Sequence, residues 1–312
     1  MPADFNKPSF NRFSKKALFN STLLVSLYLI WIVFFVGFRS DHIFFICFCL
    51  TAYFLHPTTR RFITAFFIFI IYWIVYDSMR ICPNYLVNPV HIRQPYDFEK
   101  SLFGISVHGQ LLTPNEYFKL HTHVVADIIA GLFYINWVPV PLMFALYLLV
   151  KDKLNFTRFA YAFVLTNFIG FIIYYLYPAA PPWYVDQYGF DFNLHTPSST
   201  AGLARFDDFF GINLFHSLYS KNANIFAAIP SLHAAYPVVV LYFGIRRKMG
   251  WTNILFFIFL SGIWFAAVYS GHHYIIDLLI GALCAFLSLF LFEYAFANPK
   301  VNNWFLNLAK QI

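Results

Sequence analysis

The sequence predicts an all-α polytopic membrane protein of about eight transmembrane helices, and three observations carry that prediction. Of the 312 residues, 60% are hydrophobic and only 11% are charged, against about 25% charged in a typical soluble domain. A surface so poor in charge would not stay in solution. The apolar residues gather into runs near 17–38, 43–56, 62–78, 125–150, 159–177, 232–245, 251–270 and 273–296, most of them close to the roughly 20 residues that cross a bilayer as a helix. The basic residues, finally, divide unevenly between the connecting segments, as the positive-inside rule requires. Disorder is excluded by the same composition, since disordered chains are apolar-poor and charge-rich.

Taken in order, the first run follows Lys7, Arg12, Lys15 and Lys16. It is too long for a signal peptide and lacks a small-residue cleavage site, so it reads as a retained first span. The second and sixth runs are short, and the second must extend into its flanks or dip without crossing. Eight crossings place both termini on one side. With the N-terminus inside, the inner segments (7–16, 60–61, 151–158, 246–248 and 300–310) hold 14 Lys and Arg, whereas the outer ones hold 7: Arg39, Arg80, Arg93, Lys100, Lys119, Arg205 and Lys221. The expected topology is therefore N-in and C-in.

Two long outer segments remain, roughly 79–124 and 178–231, and loops of that length are usually functional. In the first, Phe98–Gly104 and Pro114–Lys119 mix apolar and charged residues and read as helices lying in the interface. The second opens with Pro178-Ala179-Ala180-Pro181-Pro182-Trp183-Tyr184, which cannot continue the fifth helix. Cys47, Cys49, Cys82 and Cys284 form neither a disulfide framework nor a zinc pattern. There is no nucleotide-binding glycine loop, heptad seam or internal repeat, and nothing that suggests a nucleic-acid partner.

Two groups of residues can carry chemistry. His273 and Asp277 stand at i and i+4, on one face of a helix and about one turn apart. The carboxylate can hold the proton of one ring nitrogen and leave the other free to attack. An ionisable group just inside a span is itself a functional signal. Pro230 and Ser231 are helix-start signals that place His233 in a first turn, where backbone N–H groups favour a phosphate. Taken alone, each group also reads as a satisfied helix end. Together they do not, because both histidines fall at the outer boundary, at the starts of spans six and eight. Two imidazoles and one carboxylate at an interface suit phosphoryl transfer on a lipid headgroup.

Pro230-Ser231-Leu232-His233, followed about forty residues later by His272-His273-Tyr274-Ile275-Ile276-Asp277, resembles the type-2 phosphatidic acid phosphatase superfamily. Within it, the closer resemblance is to the inositol phosphorylceramide synthases, the aureobasidin A resistance protein-like branch. Three stretches support the narrower match: Asn167–Gly170 with Tyr177–Tyr184, Ala201–Asp208, and Asp127–Gly131 with Tyr134 and Pro139. The resemblance covers about residues 98–296. The phosphatase branch carries a Lys-x6-Arg-Pro block, which is absent here, and an arginine six residues before its second histidine, where this chain has Ala267.

The resemblance implies a six-helix catalytic membrane domain over 62–296, preceded by outer membrane segments over 1–61 and followed by a short cytoplasmic tail over 297–312. It implies His273 as nucleophile, Asp277 as its orienting group and His233 as general acid and base. It further implies transfer of inositol phosphate from phosphatidylinositol to ceramide with release of diacylglycerol, through a phosphohistidine. No cofactor or metal is expected. The rivals are a lipid phosphate phosphatase acting on phosphatidate or a prenyl pyrophosphate, and a non-catalytic lipid-binding or transport protein. Arg205 is the first candidate for the phosphate clamp, with Lys119 and Lys221 behind it. Asp127, as an intramembrane carboxylate, needs a partner, and Ser231 can meet the phosphate. Tyr184, with Tyr177 and Trp183, lines a headgroup pocket or stands in an interfacial belt. His121 and His123 read as site-lining or interfacial residues, and Asp207 and Asp208 as solvated loop charges. The site is expected to open outward, to the periplasm from a bacterial inner membrane or to the lumen from a Golgi membrane. An accessory membrane subunit and a homo-oligomer both stay open.

Overall fold

A computed structural model describes residues 11–220 and 224–312; Lys7 and Lys221 lie outside them. The chain separates into two compact units that divide between Ile81 and Cys82, with Gln311 and Ile312 grouped with the first.

In the first unit, α1 (Lys15–Trp31) starts on Ser14, whose hydroxyl accepts from Ala17 N at 3.3 Å. It runs on through a π-helical stretch to Val36 and stops at Gly37, whose φ of +95° no L side chain adopts readily. Helix α2 (Ser40–Leu55) ends before Pro57, which opens α3 (Pro57–Ala65), and α4 (Phe67–Ser78) continues from α3 at a 48° bend. Phe19, Phe34 and Phe44 are each more than two-thirds exposed. Such side chains on apolar helices belong against lipid rather than water. Asp77 is the buried exception, and Arg39 (3.1 Å) and Arg80 (2.9 Å) donate to it. The third apolar run, 62–78, falls in the first unit, where the Asp77–Arg39 pair ties α4 to the residue that precedes α2.

The second unit carries two outer layers and a buried bundle. The first layer holds both of the short helices expected from sequence. Helix α5 (Arg93–Phe103) leads into a hairpin of β1 (Ile105–Val107) and β2 (Gln110–Leu112), whose turn uses the positive φ of His108 and Gly109. Helix α6 (Pro114–Leu120) is opened by a reciprocal cap: Glu116 N donates to Thr113 Oγ1 at 3.2 Å, and Thr113 N to Glu116 Oε2 at 2.7 Å. Helices α7 (Val124–Ile135) and α8 (Pro139–Lys151) meet at a 42° bend before Pro139, and α9 (Lys153–Leu176) ends as expected before the proline-rich stretch. The second outer layer contains α10 (Pro182–Tyr188), α11 (Ala204–Phe210) and α12 (Leu214–Tyr219).

The bundle is completed by α13 (Leu232–Arg246), α14 (Thr252–Tyr269) and α15 (Ile275–Phe296). Helix α13 is the most enclosed, with Ala234, Ala235, Val239, Val240 and Phe243 fully buried. Glycines permit close approach in the bundle: a side chain at Gly170 of α9 would meet Leu232 of α13, and one at Gly262 of α14 would strike Phe133 of α7. The terminal segment forms α16 (Pro299–Gln311), whose Phe305 packs on Phe292 and Phe296.

All eight apolar runs are helical. Among the described residues, four helices are long and apolar enough to cross a membrane alone, and up to six spans result if each bent pair counts as one. The remaining two, α2 and α13, are the runs that looked short in the sequence. The protein is thus an all-α integral membrane protein, with the number of crossings bounded rather than fixed at eight.

Candidate active site

Backbone ties bring the two histidine segments together. Ser231 caps α13, its Oγ accepting from Ala234 N at 3.3 Å, which sets His233 in the first turn. The Ser231 N–H donates to the Asp277 carbonyl at 2.9 Å. A Cβ at Gly281 would collide with the Ser231 carbonyl, so only glycine lets the start of α13 lie this close to α15.

On the other side, α14 ends at Tyr269 and the chain reverses at Gly271 (φ +73°). The N–H groups of His272 and His273 both donate to the Ala267 carbonyl, at 3.0 and 3.1 Å. Asn115 of α6 donates from Nδ2 to the carbonyls of Val268 (2.8 Å) and His273 (2.9 Å), pinning the loop from outside. Glu99 of α5 is fully buried and accepts from the first N–H groups of α15, Ile275 at 3.0 Å and Ile276 at 3.1 Å. A carboxylate at a helix N-terminus satisfies donors that have no intrahelical partner.

These ties place Asp277 Oδ2 3.3 Å from His273 Nδ1, where it also accepts from Tyr274 N at 2.9 Å. With Nδ1 donating to the carboxylate, His273 Nε2 carries the lone pair, and His233 Nδ1 stands 3.2 Å from it. Tyr134 reaches His233 Nδ1 at 3.3 Å, and Trp137 meets the His233 ring edge to face at 4.5 Å. Asp277 is fully buried and has no cation beside it among the described residues. Its stabilising partner is therefore the imidazole, most strongly when that ring becomes an imidazolium. An imidazole so oriented can act as a nucleophile, and a histidine at this distance can exchange a proton with a group it attacks.

Residues 107–291 match the PAP2 superfamily. The chain belongs to that superfamily. It is 48% identical over 283 residues to the phosphoinositol dihydroceramide synthase of Bacteroides thetaiotaomicron, covering 90% of this chain and 93% of that protein. It is 29% identical over 259 residues to the inositol phosphorylceramide synthase catalytic subunit AUR1 of Saccharomyces cerevisiae, and 27% over 255 to the corresponding subunit, aur1, of Schizosaccharomyces pombe. Those matches cover 81% and 78% of this chain but only 61% and 57% of the yeast proteins. No solved structure matches significantly.

The other residues singled out in the sequence are placed as follows. Asp127 has its partner: Arg205 Nε donates at 2.5 Å and Tyr269 OH at 2.9 Å, joining α7, α11 and α14. Arg205 and Lys119 both line a cavity of about 500 Å³ that also borders Ser270, Gly271 and Tyr274, the last two flanking His272 and His273 in the sequence, though neither histidine lines it. Tyr184 and Ser231 do not line that cavity. Tyr184 is fully buried, donating to the Asp191 carbonyl at 2.7 Å and accepting from Asn193 N at 2.8 Å, and Ser231 spends its hydroxyl on the α13 cap. Ala267, which replaces the phosphatase-branch arginine, is fully buried and holds the histidine loop through its carbonyl.

One expectation needs correcting. Asp207 is not a solvated loop charge. It is 1% exposed and accepts from the N–H groups of Phe215 and His216, both at 3.1 Å, so it starts α12. Asp208 is exposed as expected. Sequence reasoning missed Glu99, Asn115, Trp137 and His272 as site-building residues, and named Tyr134 only in a motif. His272 had a signal in its adjacency to His273. Glu99 and Asn115 had only one: a polar residue on an amphipathic helix whose other face must be buried.

Proposed function

We propose that this protein transfers inositol phosphate from phosphatidylinositol to a ceramide, releasing diacylglycerol, by double displacement through His273. The observation that carries the reading is the line Asp277–His273–His233, with contacts of 3.3 and 3.2 Å that leave His273 Nε2 as the free base. The names of the two synthases, whose matches cover 90% and 81% of this chain, support inositol phosphate and a ceramide as the groups that are joined.

In the first step His273 Nε2 attacks phosphorus, the bond from phosphorus to the diacylglycerol oxygen breaks, and His233 supplies the proton that oxygen takes. Asp277 balances the imidazolium that forms. In the second step His233 removes the proton of the ceramide hydroxyl, its oxygen bonds to phosphorus, and the P–N bond to His273 breaks. Donor phosphate must displace the direct contact between the two rings, so His233 moves from its resting partner to the leaving oxygen. The buried carbonyl-pinned loop keeps His273 still while this happens. The expected topology places this site on the outer side, with both termini inside.

Purified protein given phosphatidylinositol labelled in its inositol, with ceramide and diacylglycerol offered separately, tests the reading. Label is expected in a ceramide lipid, falling at least about 1000-fold in His273→Ala. Water-soluble inositol phosphate as sole product would replace transfer by hydrolysis.

A further inference from the structure

In the double displacement, His233 must leave His273 and serve a substrate oxygen, first as proton donor and then as proton acceptor. An imidazole that gives up its neighbour keeps its aim only if another group holds it. Two aromatic side chains of the α7–α8 segment stand against the ring. Trp137 packs on it edge to face at 4.5 Å and limits its plane. Tyr134 limits its rotation, because the phenol oxygen lies 3.3 Å from Nδ1, the same nitrogen that faces His273 Nε2 at 3.2 Å.

Tyr134 is 1% exposed, whereas His233 is partly exposed. The phenol is therefore sealed from substrate and can act on it only through the imidazole. Burial alone does not call for this contact. A buried tyrosine hydroxyl needs a partner, and Tyr219 of α12 already hydrogen-bonds to it. Tyr219 in turn packs on His272 at 4.6 Å, and Tyr134 on the same ring at 5.2 Å. The Tyr134 oxygen is thus held between the second outer layer and His233.

The protons follow from the neighbours. His273 gives its Nδ1–H to Asp277, so its Nε2 can only accept, and His233 Nδ1 must carry the hydrogen that points there. Tyr134 oxygen is a second acceptor for that hydrogen. Once His233 has released the proton, Nδ1 becomes an acceptor and needs a donor instead. A hydroxyl serves both states, since it accepts through its lone pairs and donates its own hydrogen.

We propose that Tyr134 is the positioning residue of His233 through both halves of the reaction. Its oxygen accepts from Nδ1–H while His233 is poised to protonate the diacylglycerol oxygen. Its O–H then donates to bare Nδ1 until the ceramide hydroxyl returns a proton there. The phenol keeps its own proton throughout and only turns about its C–O bond. The assignment rests on the acid–base role of His233 in the transfer reading.

The test uses the full-length protein with Tyr134→Phe, which removes one oxygen and keeps the packing ring, beside His233→Ala. Each is given phosphatidylinositol, or its analogue with sulfur replacing the glycerol oxygen bonded to phosphorus, with ceramide present. A thiol ionises near pH 8.5 by analogy with cysteine, so about neutral pH it leaves with little need of a proton donor; an alcohol does need one. First-turnover release of diacylglycerol should slow about 10–100-fold in Tyr134→Phe, and further in His233→Ala, at unchanged half-saturating donor concentration. Release of the thiol should slow less than about threefold in both. Equal losses on the two donors, as a merely structural role or a failure to fold would give, overturn the assignment, as does a loss on neither. A loss confined to the oxygen donor, with inositol phosphate passing to water instead of ceramide, keeps the role of Tyr134 and removes the transfer reading.

Discussion

Two buried aspartates stand near the starts of apolar helices, and their partners separate them. Asp127, on α7, meets the Arg205 guanidinium and the Tyr269 hydroxyl. Asp277, on α15, meets a neutral imidazole and a backbone N–H. A carboxylate answered by a permanent cation is electrically finished and serves as an anchor between elements. One answered by an imidazole is finished only when that imidazole gains positive charge, so it favours the reaction that creates the charge.

The largest expected effects come from exchanging each carboxylate for an amide. Asp277→Asn should lower kcat by on the order of 10²–10⁴-fold, because the amide no longer balances the imidazolium or holds the His273 tautomer. Its melting temperature should barely move, since the Tyr274 N–H keeps an acceptor. Asp127→Asn should do the reverse. It leaves Arg205 without its counter-ion and costs about 2 kcal/mol of stability, reduced from the fully buried case by the partial exposure of the arginine. Rates per folded molecule should change less than tenfold. Turnover and thermal melting measured on both variants would erase the contrast if the effects came out alike.

Next comes the junction that brings His233 to His273. Gly281→Leu drives a side chain into the Ser231 carbonyl, so α13 or α15 must shift. Overpacking of this kind costs about 1–3 kcal/mol, and misplacing the histidine pair by an ångström costs about 100-fold in rate. Activity that survives unchanged in the folded variant would show that the close approach is not what aligns the pair.

A pH-dependent effect on stability, rather than on turnover, concerns Glu99. Burial pushes its carboxyl from 4.5 up to about 7, while the Ile275 and Ile276 N–H groups pull the other way. Between those values the native state holds a proton that the unfolded chain has released, so stability falls as pH rises from about 4.5 to 7, by at most about 1.4 kcal/mol per pH unit. Glu99→Gln should flatten that slope in a melting series across the same window. A slope unchanged in the variant would place the titration elsewhere.

Much of the site was legible before any coordinates. His233, His273 and Asp277 follow from helix spacing and from two span boundaries at one depth. The short second and sixth runs, the two short helices α5 and α6 and the break at Pro178 also read directly, because each depends on local periodicity or on proline. Glu99 and Asn115 could not be read this way. Each acts on backbone groups more than 150 positions away in sequence, and a single chain carries no local trace of such a pairing. Asp207 was misread for the same reason: its partners come from the next helix, after a turn whose direction local pattern does not specify.

Hydropathy and charge set the environment, the helical segments and the identity of the reactive groups, since these depend on transfer free energies and on residues within one or two turns of each other. Packing settled the rest. It fixed which carboxylate is anchored by a cation and which is left to an imidazole, how closely two helix starts approach at a glycine, and which hydroxyl stands beside His233. Those outcomes arise from contacts between segments far apart in the chain, whose mutual placement is set only when the whole apolar bundle closes.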